Sequence, residues 1–519
     1  MANKLVRGSL IIFIGNIIFR IGGYLYRFLM ATLLGPVNNG ILGTTMSVQG
    51  IFQTLASGGL PPAISKYIAE YEAVEDHNMA RQTIYTALKI MIILGLVLGF
   101  LMIFVIAPAL AIGFMGKPEV TVPLQIIGLI TPFSVVLGAF RGAFQGVYTM
   151  EYIVYTRAIE QLGMILFATA FVLIGLSVIG ALWGTVIGYA LAALSSVIIF
   201  KVYMPKYIPK PSDDFKYPFR EEVKLAAMLV KFSIPVIITA IAEMLIYNIC
   251  TLIMGRFLTM ESIGFFTAAD PIARLPLMIS ISVATTILPA SSEAFKLKDI
   301  SALQKYVTQS YKLSLLFVVP MCIGLALFSV PILRLLYFQI PAYAAGAPAL
   351  AILSIGMTFY SIFAISTSII QGVGNPRIPM YILIFGSITT AVLCWFFAPI
   401  LGIAGGAAAT TIACFLMMIP CIYFVFKLTN SRVPVVPFLK IIAATFIMGL
   451  FGLFVPKTAI WLFPGIIICM IVYFFALIFV KFFTKEDIET FRGYSSKLGP
   501  LSKLVNKLLN IVERIEFRN

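Results

Sequence analysis

The chain has 519 residues, 61% of them hydrophobic and 11% charged, whereas water-soluble globular chains run to about 45–50% apolar and about 25% charged residues. No water-soluble surface can be clothed from that mixture, and apolar runs of roughly 20 residues recur from end to end, the length that crosses about 30 Å of hydrocarbon as a helix. The formal charge of +16 does not point to nucleic acid, because the basic residues sit in short segments between apolar runs instead of forming one patch or arm.

Open sheet edges and lipid-facing loops are not tolerated at hydrocarbon depth, so the runs are expected to be helices. Lys4 and Arg7 ahead of the first run resemble the start of a signal peptide, but Arg20 and Arg27 interrupt its apolar core, and the segment is expected to stay as a first helix. The runs place helices near 8–34, 40–64, 84–112, 121–148, 153–175, 178–204, 226–255, 262–292, 306–337, 345–371, 378–399, 402–427, 437–455 and 459–482. In the first helix, Arg20 and Arg27 are seven residues apart, on one face and about 10 Å apart along the axis. A guanidinium at the bilayer centre costs about 2.5–3.5 kcal/mol on insertion scales, so these two are expected to line a wet cavity, or else to snorkel or pair with a neighbouring helix.

Further along, Arg141, Gln145, Glu160 and Gln161 flank the fourth and fifth helices near one membrane face, and Arg141 is expected to pair with Glu160. The spacings Gly138-Gly142-Gly146 and Gly180-Gly184-Gly188 read as packing faces. Glu243 is expected to be buried midway along the seventh helix, as a candidate proton or sodium site or as the partner of an arginine. Asp270 and Arg274 stand four apart in the eighth helix, an intrahelical ion pair or a substrate contact. The six cysteines all fall in apolar stretches without metal-ligand spacing and read as small core residues, and His77 lies in a polar linker beside Glu75 and Asp76 as a solvated residue. The tail from Thr484 alternates leucines and valines with basic residues, an amphipathic pattern suited to an anionic inner leaflet.

Fourteen spans put both termini on one side, and the charges choose it. Thirty lysines and arginines fall on one alternate set of linkers and only Lys117, Arg256, Arg334 and Lys457 on the other, which makes both termini cytoplasmic by the positive-inside rule. Trp183, Trp395 and Trp461 then lie near the outer interface. The chain also repeats itself. Pro62-Ala63 and Ser65 return as Pro289-Ala290 and Ser292, Gln145-Gly146-Val147 as Gln371-Gly372-Val373, and Gly180 with Gly184 as Gly402 with Gly406. The expected organisation is an N-lobe at 1–204 (helices 1–6), a basic linker at 205–225 and a C-lobe at 226–428 (helices 7–12). Helices 13 and 14 follow within 429–483, then the cytoplasmic tail at 484–519. The fold class is therefore all-α: a polytopic membrane protein of two pseudo-symmetric six-helix lobes around a central cavity, plus two C-terminal helices.

Several words carry a resemblance: Tyr26-Arg27, Leu34-Gly35-Pro36 before Gly40, the run GLPPAISKYIAE from Gly59 to Glu70, and RGAFQGVYTM from Arg141 to Met150. On these the chain resembles the multidrug, oligosaccharidyl-lipid and polysaccharide flippase superfamily, and within it the polysaccharide-transporter branch that holds stage V sporulation protein B and the lipid II flippases. The resemblance implies a V-shaped pair of lobes around a cationic cavity, with arginines from the first, second and eighth helices. Arg20, Arg27 and Arg274 match the first and eighth positions, with Asp270 beside them, while the stretch from Gly40 to Ile64 holds no arginine or lysine. It also implies cation coupling through a seventh-helix carboxylate, which matches Glu243, while Arg141, Gln145 and Glu160 form a gate or lobe motif.

The expected function is movement of a polyprenyl-(pyro)phosphate-linked glycan or peptidoglycan-type precursor to the outer leaflet by alternating access. No cofactor is expected beyond a coupling Na+ or H+. The partners expected are membrane lipid, the lipid-linked substrate and glycan-biosynthesis enzymes, with the chain itself a monomer that binds neither metal nor nucleic acid. A cation-coupled drug exporter of the same superfamily is the alternative, although three intramembrane arginines argue against a cationic substrate. An enzyme is disfavoured, since the short outer linkers offer only Glu119 and Glu261 as carboxylates.

Overall fold

The computed structural model describes residues 2–57, 59–209, 217–431, 435–484, 492 and 513, with the side chains of the first helix described at Gly15 and from Phe19 onward. Among the described residues sixteen α-helices follow one another: α1 (Ala2–Ser57), α2 (Leu60–Ala73), α3 (His77–Leu101), α4 (Thr121–Gly146), α5 (Met150–Phe171), α6 (Ser177–Tyr203), α7 (Phe219–Phe257) and α8 (Met260–Ala273), then α9 (Leu277–Lys296), α10 (Ile300–Leu327), α11 (Ser329–Leu336), α12 (Ala347–Gly372), α13 (Arg377–Leu401), α14 (Ile403–Thr429), α15 (Val435–Phe454) and α16 (Leu462–Phe479). No strand occurs among the described residues. Eleven stretches from His77 onward are long and apolar enough to cross a membrane, α5 and α6 together counting as one of them. With those two separated and the two arms of α1 added, the chain is an all-α polytopic membrane protein of fourteen crossing segments.

The helices break where proline and glycine demand it. The expected first and second helices run together as α1 with a sharp break at Gly35 (φ 73°, ψ 173°) just before Pro36. A residue ahead of proline is driven out of the helical region, and this left-handed φ suits glycine. The expected eighth helix is split into α8 and α9 by a turn over residues 274–276 that ends at Pro276. The expected ninth divides at Phe328 into α10 and the short α11.

The sequence repeat is written into the backbone. Asp76 caps α3 by accepting the Met79 N–H at 3.0 Å, and 223 residues later Asp299 caps α10 by accepting the Ala302 N–H at 2.9 Å. The residues before these caps, Glu75 and Lys298, take φ values of 59° and 57°. The ends of α4 and α12 close alike: Val147, Tyr148 and Thr149 donate to Ala143, Gln145 and Phe144, while Val373, Gly374 and Asn375 donate to Ile369, Gln371 and Ile370. Such turns satisfy the carbonyls orphaned at a helix C-terminus.

The described residues pack as two compact units, one from Met1–Pro271 with Leu383–Thr410, the other from Ile272–Ile382 with Thr411–Asn519. In the first, α2, α3 and α4 meet around Ala63, Ile64, Ile84, Met91 and Phe144. Glycines set the close approaches. A Cβ on Gly142 would lie 2.7 Å from the Pro61 carbonyl oxygen, and one on Gly184 2.2 Å from the Ala168 nitrogen, so both glycine spacings are packing faces. The segment after α6 and the first turn of α7 are both pinned on α3, where Arg81 donates to the Ile208 carbonyl at 2.9 Å and Lys89 meets Glu222 at 2.7 Å. In the second unit, Gly372 faces Ser291 and the Leu288 carbonyl, and Tyr311 and Ser366 share a buried hydrogen bond of 2.6 Å. All six cysteines are buried as core residues. His77 is partly exposed, with its Nδ1 2.9 Å from a Glu72 oxygen. The tail expected to be amphipathic lies outside the described residues, save Thr484, Arg492 and Glu513.

Candidate functional site

In the first unit a cavity of about 400 Å³ lies among α1, α2, α4 and α5. Its polar lining is Gln53 and Ser57 from α1, Ser134, Arg141 and Gln145 from α4, and Arg157 from α5. Gln53 and Ser57 are four apart and so share a helix face, as do Ser134, Arg141 and Gln145 at spacings of seven and four. Pro61 and Pro62 at the start of α2 close one wall, and the small Gly138 and Gly142 leave the space open on α4.

A buried ion pair holds the cavity's floor. Arg141 Nη2 donates to Glu160 Oε2 at 2.7 Å, its Nε donates to Thr156 Oγ1 at 3.1 Å, and the two side chains are only 19% and 7% exposed. This is the pairing expected from the sequence, and its short charge-assisted bond welds α4 to α5. Across the bundle, Tyr189 of α6 donates to Gln53 Oε1 at 3.2 Å and orients that amide. The Arg157 guanidinium lies 5.5 Å from the Phe19 ring centroid, a cation–π distance. One turn along α5, Gln161 is buried and its amide nitrogen makes no hydrogen bond to the described residues.

The other charged candidates lie elsewhere. Arg20 and Arg27 are both exposed. Arg27 Nη1 stands 4.0 Å from Asp270 Oδ2, with exposures of 59% and 14%, so the structure brings together one arginine of α1 and the carboxylate of α8. Close backbone approach makes this possible: a Cβ on Gly40 would sit 1.8 Å from the Met260 carbonyl oxygen and one on Gly264 1.9 Å from that of Pro36, while Asn39 donates to the Gly264 carbonyl at 3.1 Å. Arg274 is half-buried and lies beyond the last residue of α8, in the turn at 274–276 of the second unit, so a continuous helix does not carry Asp270 and Arg274 four apart. Glu243 stands midway along α7, where its side chain keeps an accessible surface instead of the full burial expected.

Sequence reasoning missed Arg157, Ser134, Gln53 and Ser57 as cavity residues. Arg157 reads as one more interfacial cation in the charge count. The signal for Gln53 and Ser57 is the polar series Gln49, Gln53 and Ser57, four apart in a largely apolar segment. The second unit holds a different kind of space, a groove of about 620 Å³ walled by Phe317, Met321, Phe328, Met448, Met470 and Tyr473. Most of its walls come from α10, α15 and α16, with Leu275, Phe328, Ile332 of α11 and Phe483 completing them. The Tyr473 hydroxyl donates to the Leu316 carbonyl at 2.8 Å, leaving hydrocarbon and pliable methionine to face the groove.

Two repeats of apolar spanning helices, with a charged cavity inside one compact unit and a hydrocarbon-walled groove in the other, define a polytopic membrane transporter. The family model described as polysaccharide biosynthesis protein matches residues 5–295, more than half of the sequence, and the chain belongs to that family. The MatE model matches residues 235–396. The superfamily resemblance carried by the run from Gly59 to Glu70 is thereby met.

Among similar proteins, an uncharacterized membrane protein of Methanocaldococcus jannaschii is 28% identical over 79% of this chain and 95% of its own length. The lipid II flippase of Bacillus subtilis is 21% identical over 76% of this chain and 77% of its own length. The solved structure of a lipid II flippase in an inward closed conformation superposes with a TM-score of 0.73 at 18% identity, over 89% of this chain and 97% of that one.

Proposed function

We propose that the chain carries a polyprenyl-(pyro)phosphate-linked glycan or peptidoglycan-type precursor from the inner to the outer leaflet by alternating access. The observation that carries this reading is the cavity with two guanidiniums inside the first unit, which suits an anionic head; the second unit separately offers a groove with hydrocarbon walls. Arginine favours such a head because its fork meets phosphate oxygens bidentately and keeps its charge. The groove would hold part of the prenyl chain, since burying apolar surface against methionine and phenylalanine needs no directional partner. The similarity to a lipid II flippase of Bacillus subtilis supports the same substrate class.

Transport is driven by an ion or by the membrane potential. Each uncompensated negative charge moved outward gains about 2.3 kcal/mol per 100 mV of inside-negative potential. Exposed on α7, Glu243 is the candidate site for a coupling Na+ or H+; Glu243→Gln should remove the dependence of transport on that ion's gradient while leaving substrate affinity within about twofold. Both termini face the cytoplasm, the chain acts as a monomer without a catalytic step, and glycan-synthesising enzymes dock on the basic segment between the repeats.

The MatE match gives a second reading, a cation-coupled drug exporter. Depleting the protein from cells separates the two. Lipid-linked intermediate should accumulate on the cytoplasmic side, whereas normal lipid-intermediate levels together with new drug sensitivity would favour the exporter.

A further inference from the structure

We propose that residues 114–117, the strap between the third and fourth crossing segments, form a latch gripped by α7 and α13, which ties the two repeats at the proposed outer face and breaks once in every transport cycle. The proposal rests on the alternating-access reading and adds the contact that has to open. The strap belongs to the first sequence repeat, and the groups that hold it, Arg256, Leu258 and Trp395, belong to the second, all within the first compact unit. Arg256, in the last turn of α7, donates from Nη1 to the Phe114 carbonyl at 2.9 Å. In return the Lys117 ammonium donates to the carbonyl of Leu258, the residue that ends α7. Lys117, Arg256, Arg334 and Lys457 are the cations of this set of linkers, and two of the four meet in one reciprocal contact.

The backbone is shaped to present both carbonyls. Ahead of the strap, Met102–Ile106 and Ala109–Phe114 are wound as π turns, a rare form that is frequent at functional sites. Phe114 closes the second of them, and a carbonyl at a helix end takes its donor from outside the helix. Gly116 then reverses the chain at φ 68°, a left-handed conformation that favours glycine. Leu258 is extended at φ −111° and ψ 161°, and a cation beside the C-terminus of α7 meets the negative end of the helix dipole. Between the two bonds, Met115 reaches within 3.2 Å of the place a Gly255 Cβ would take. Trp395 of α13 sets its ring beside Phe257 at 5.0 Å and Phe114 at 6.3 Å between centroids. The chemistry is that of a contact made to part. Arg256 and Trp395 keep exposed surface, so water replaces the hydrogen bonds as they break, whereas parting the buried Arg141–Glu160 pair strands a charge. Met115 is unbranched and pliable, and Gly255 opposite it has no side chain to interlock.

Locking and loosening the strap are separate tests. The Met115 Cγ lies 3.5 Å from the would-be Gly255 Cβ, which brings thiols at Met115→Cys and Gly255→Cys within the range a disulfide spans, about 3.5–4.5 Å between Cβ atoms. In proteoliposomes of the full-length double variant, oxidation with copper phenanthroline should slow the movement of a fluorescent polyprenyl-diphosphate sugar between leaflets at least tenfold, and dithiothreitol should restore it. Each single thiol variant should not respond to the oxidant. Unchanged movement with the disulfide fully formed overturns the latch and leaves the flippase reading standing. For the loosening test, Trp183→Phe and Trp461→Phe leave Trp395 as the one tryptophan of the chain. Adding Arg256→Gln and Lys117→Gln should at least double its quenching by iodide, with elution profile and melting temperature showing that the protein is folded. Unchanged quenching in the folded protein overturns the latch. If quenching rises as expected while neither the wild type nor the reduced double variant moves the lipid-linked sugar, the latch stands for another cargo and the flippase reading falls.

Discussion

Arg141 and Glu160 are the charged residues whose removal should be felt most. Taking one partner from a buried pair leaves an uncompensated charge, typically costing about 3–5 kcal/mol, while replacing both with apolar residues of similar size costs far less. Unfolding in detergent should therefore show Glu160→Gln well below the wild type and the double variant Arg141→Met with Glu160→Met closer to it; equal losses would mean that the pair at 2.7 Å is not a coupled unit. The Arg27–Asp270 pair is different in kind. At 4.0 Å, with Arg27 more than half exposed, it resembles solvent-exposed pairs worth about 0–1 kcal/mol. Asp270→Asn should then leave the melting temperature nearly unchanged, and a larger fall would show that the pair holds α1 to α8. That Arg141 would meet Glu160 is legible in the sequence, because both sit near the same ends of consecutive helices. The cavity beside them is not, because it exists only where Gln53, Ser134 and Arg157, far apart in the chain, converge.

Among the helices, glycine spacing is informative about contact but does not say which glycine is indispensable. Gly142 has the Pro61 carbonyl oxygen 2.7 Å from its would-be Cβ, whereas Gly138, one turn away, has its nearest neighbour, the Pro61 ring, at 3.4 Å. Gly142→Ala must push α2 off α4 and should destabilise by about 1–3 kcal/mol, the usual cost of overpacking, while Gly138→Ala should change stability by less than about 0.5 kcal/mol. Comparable melting temperatures for the two variants would contradict this packing. The repeat is legible from a few words such as Gln145-Gly146-Val147 and Gln371-Gly372-Val373. What the words do not disclose is its depth, since the matching caps at Asp76 and Asp299 use the same side chain but sit among unrelated neighbours. Helix breaks were equally hidden. Apolar composition continues through Gly35, and at residues 274–276 Arg274 alone interrupts it; the prolines at Pro36 and Pro276 are the hint that the axis turns there.

At the scale of the whole molecule, the proposed cytoplasmic placement of both termini is open to a direct test. All six native cysteines are buried, so single introduced thiols can be read against a low background. Val74→Cys, on the exposed turn after α2, should react with impermeant maleimide only from the cytoplasmic side, and Thr458→Cys, between α15 and α16, only from outside; the reverse pattern would invert the topology. Family and fold are strongly marked because hydropathy and repeat length are global properties, whereas substrate identity rests on a few side chains brought together by packing. The most direct test of the transport account is a leaflet-resolved assay in proteoliposomes, using a fluorescent polyprenyl-diphosphate sugar and an impermeant quencher under an imposed potential. The account predicts protein-dependent movement between leaflets that falls at least tenfold in Arg157→Gln. Movement no faster than in protein-free vesicles, with the protein folded and correctly inserted, would contradict it.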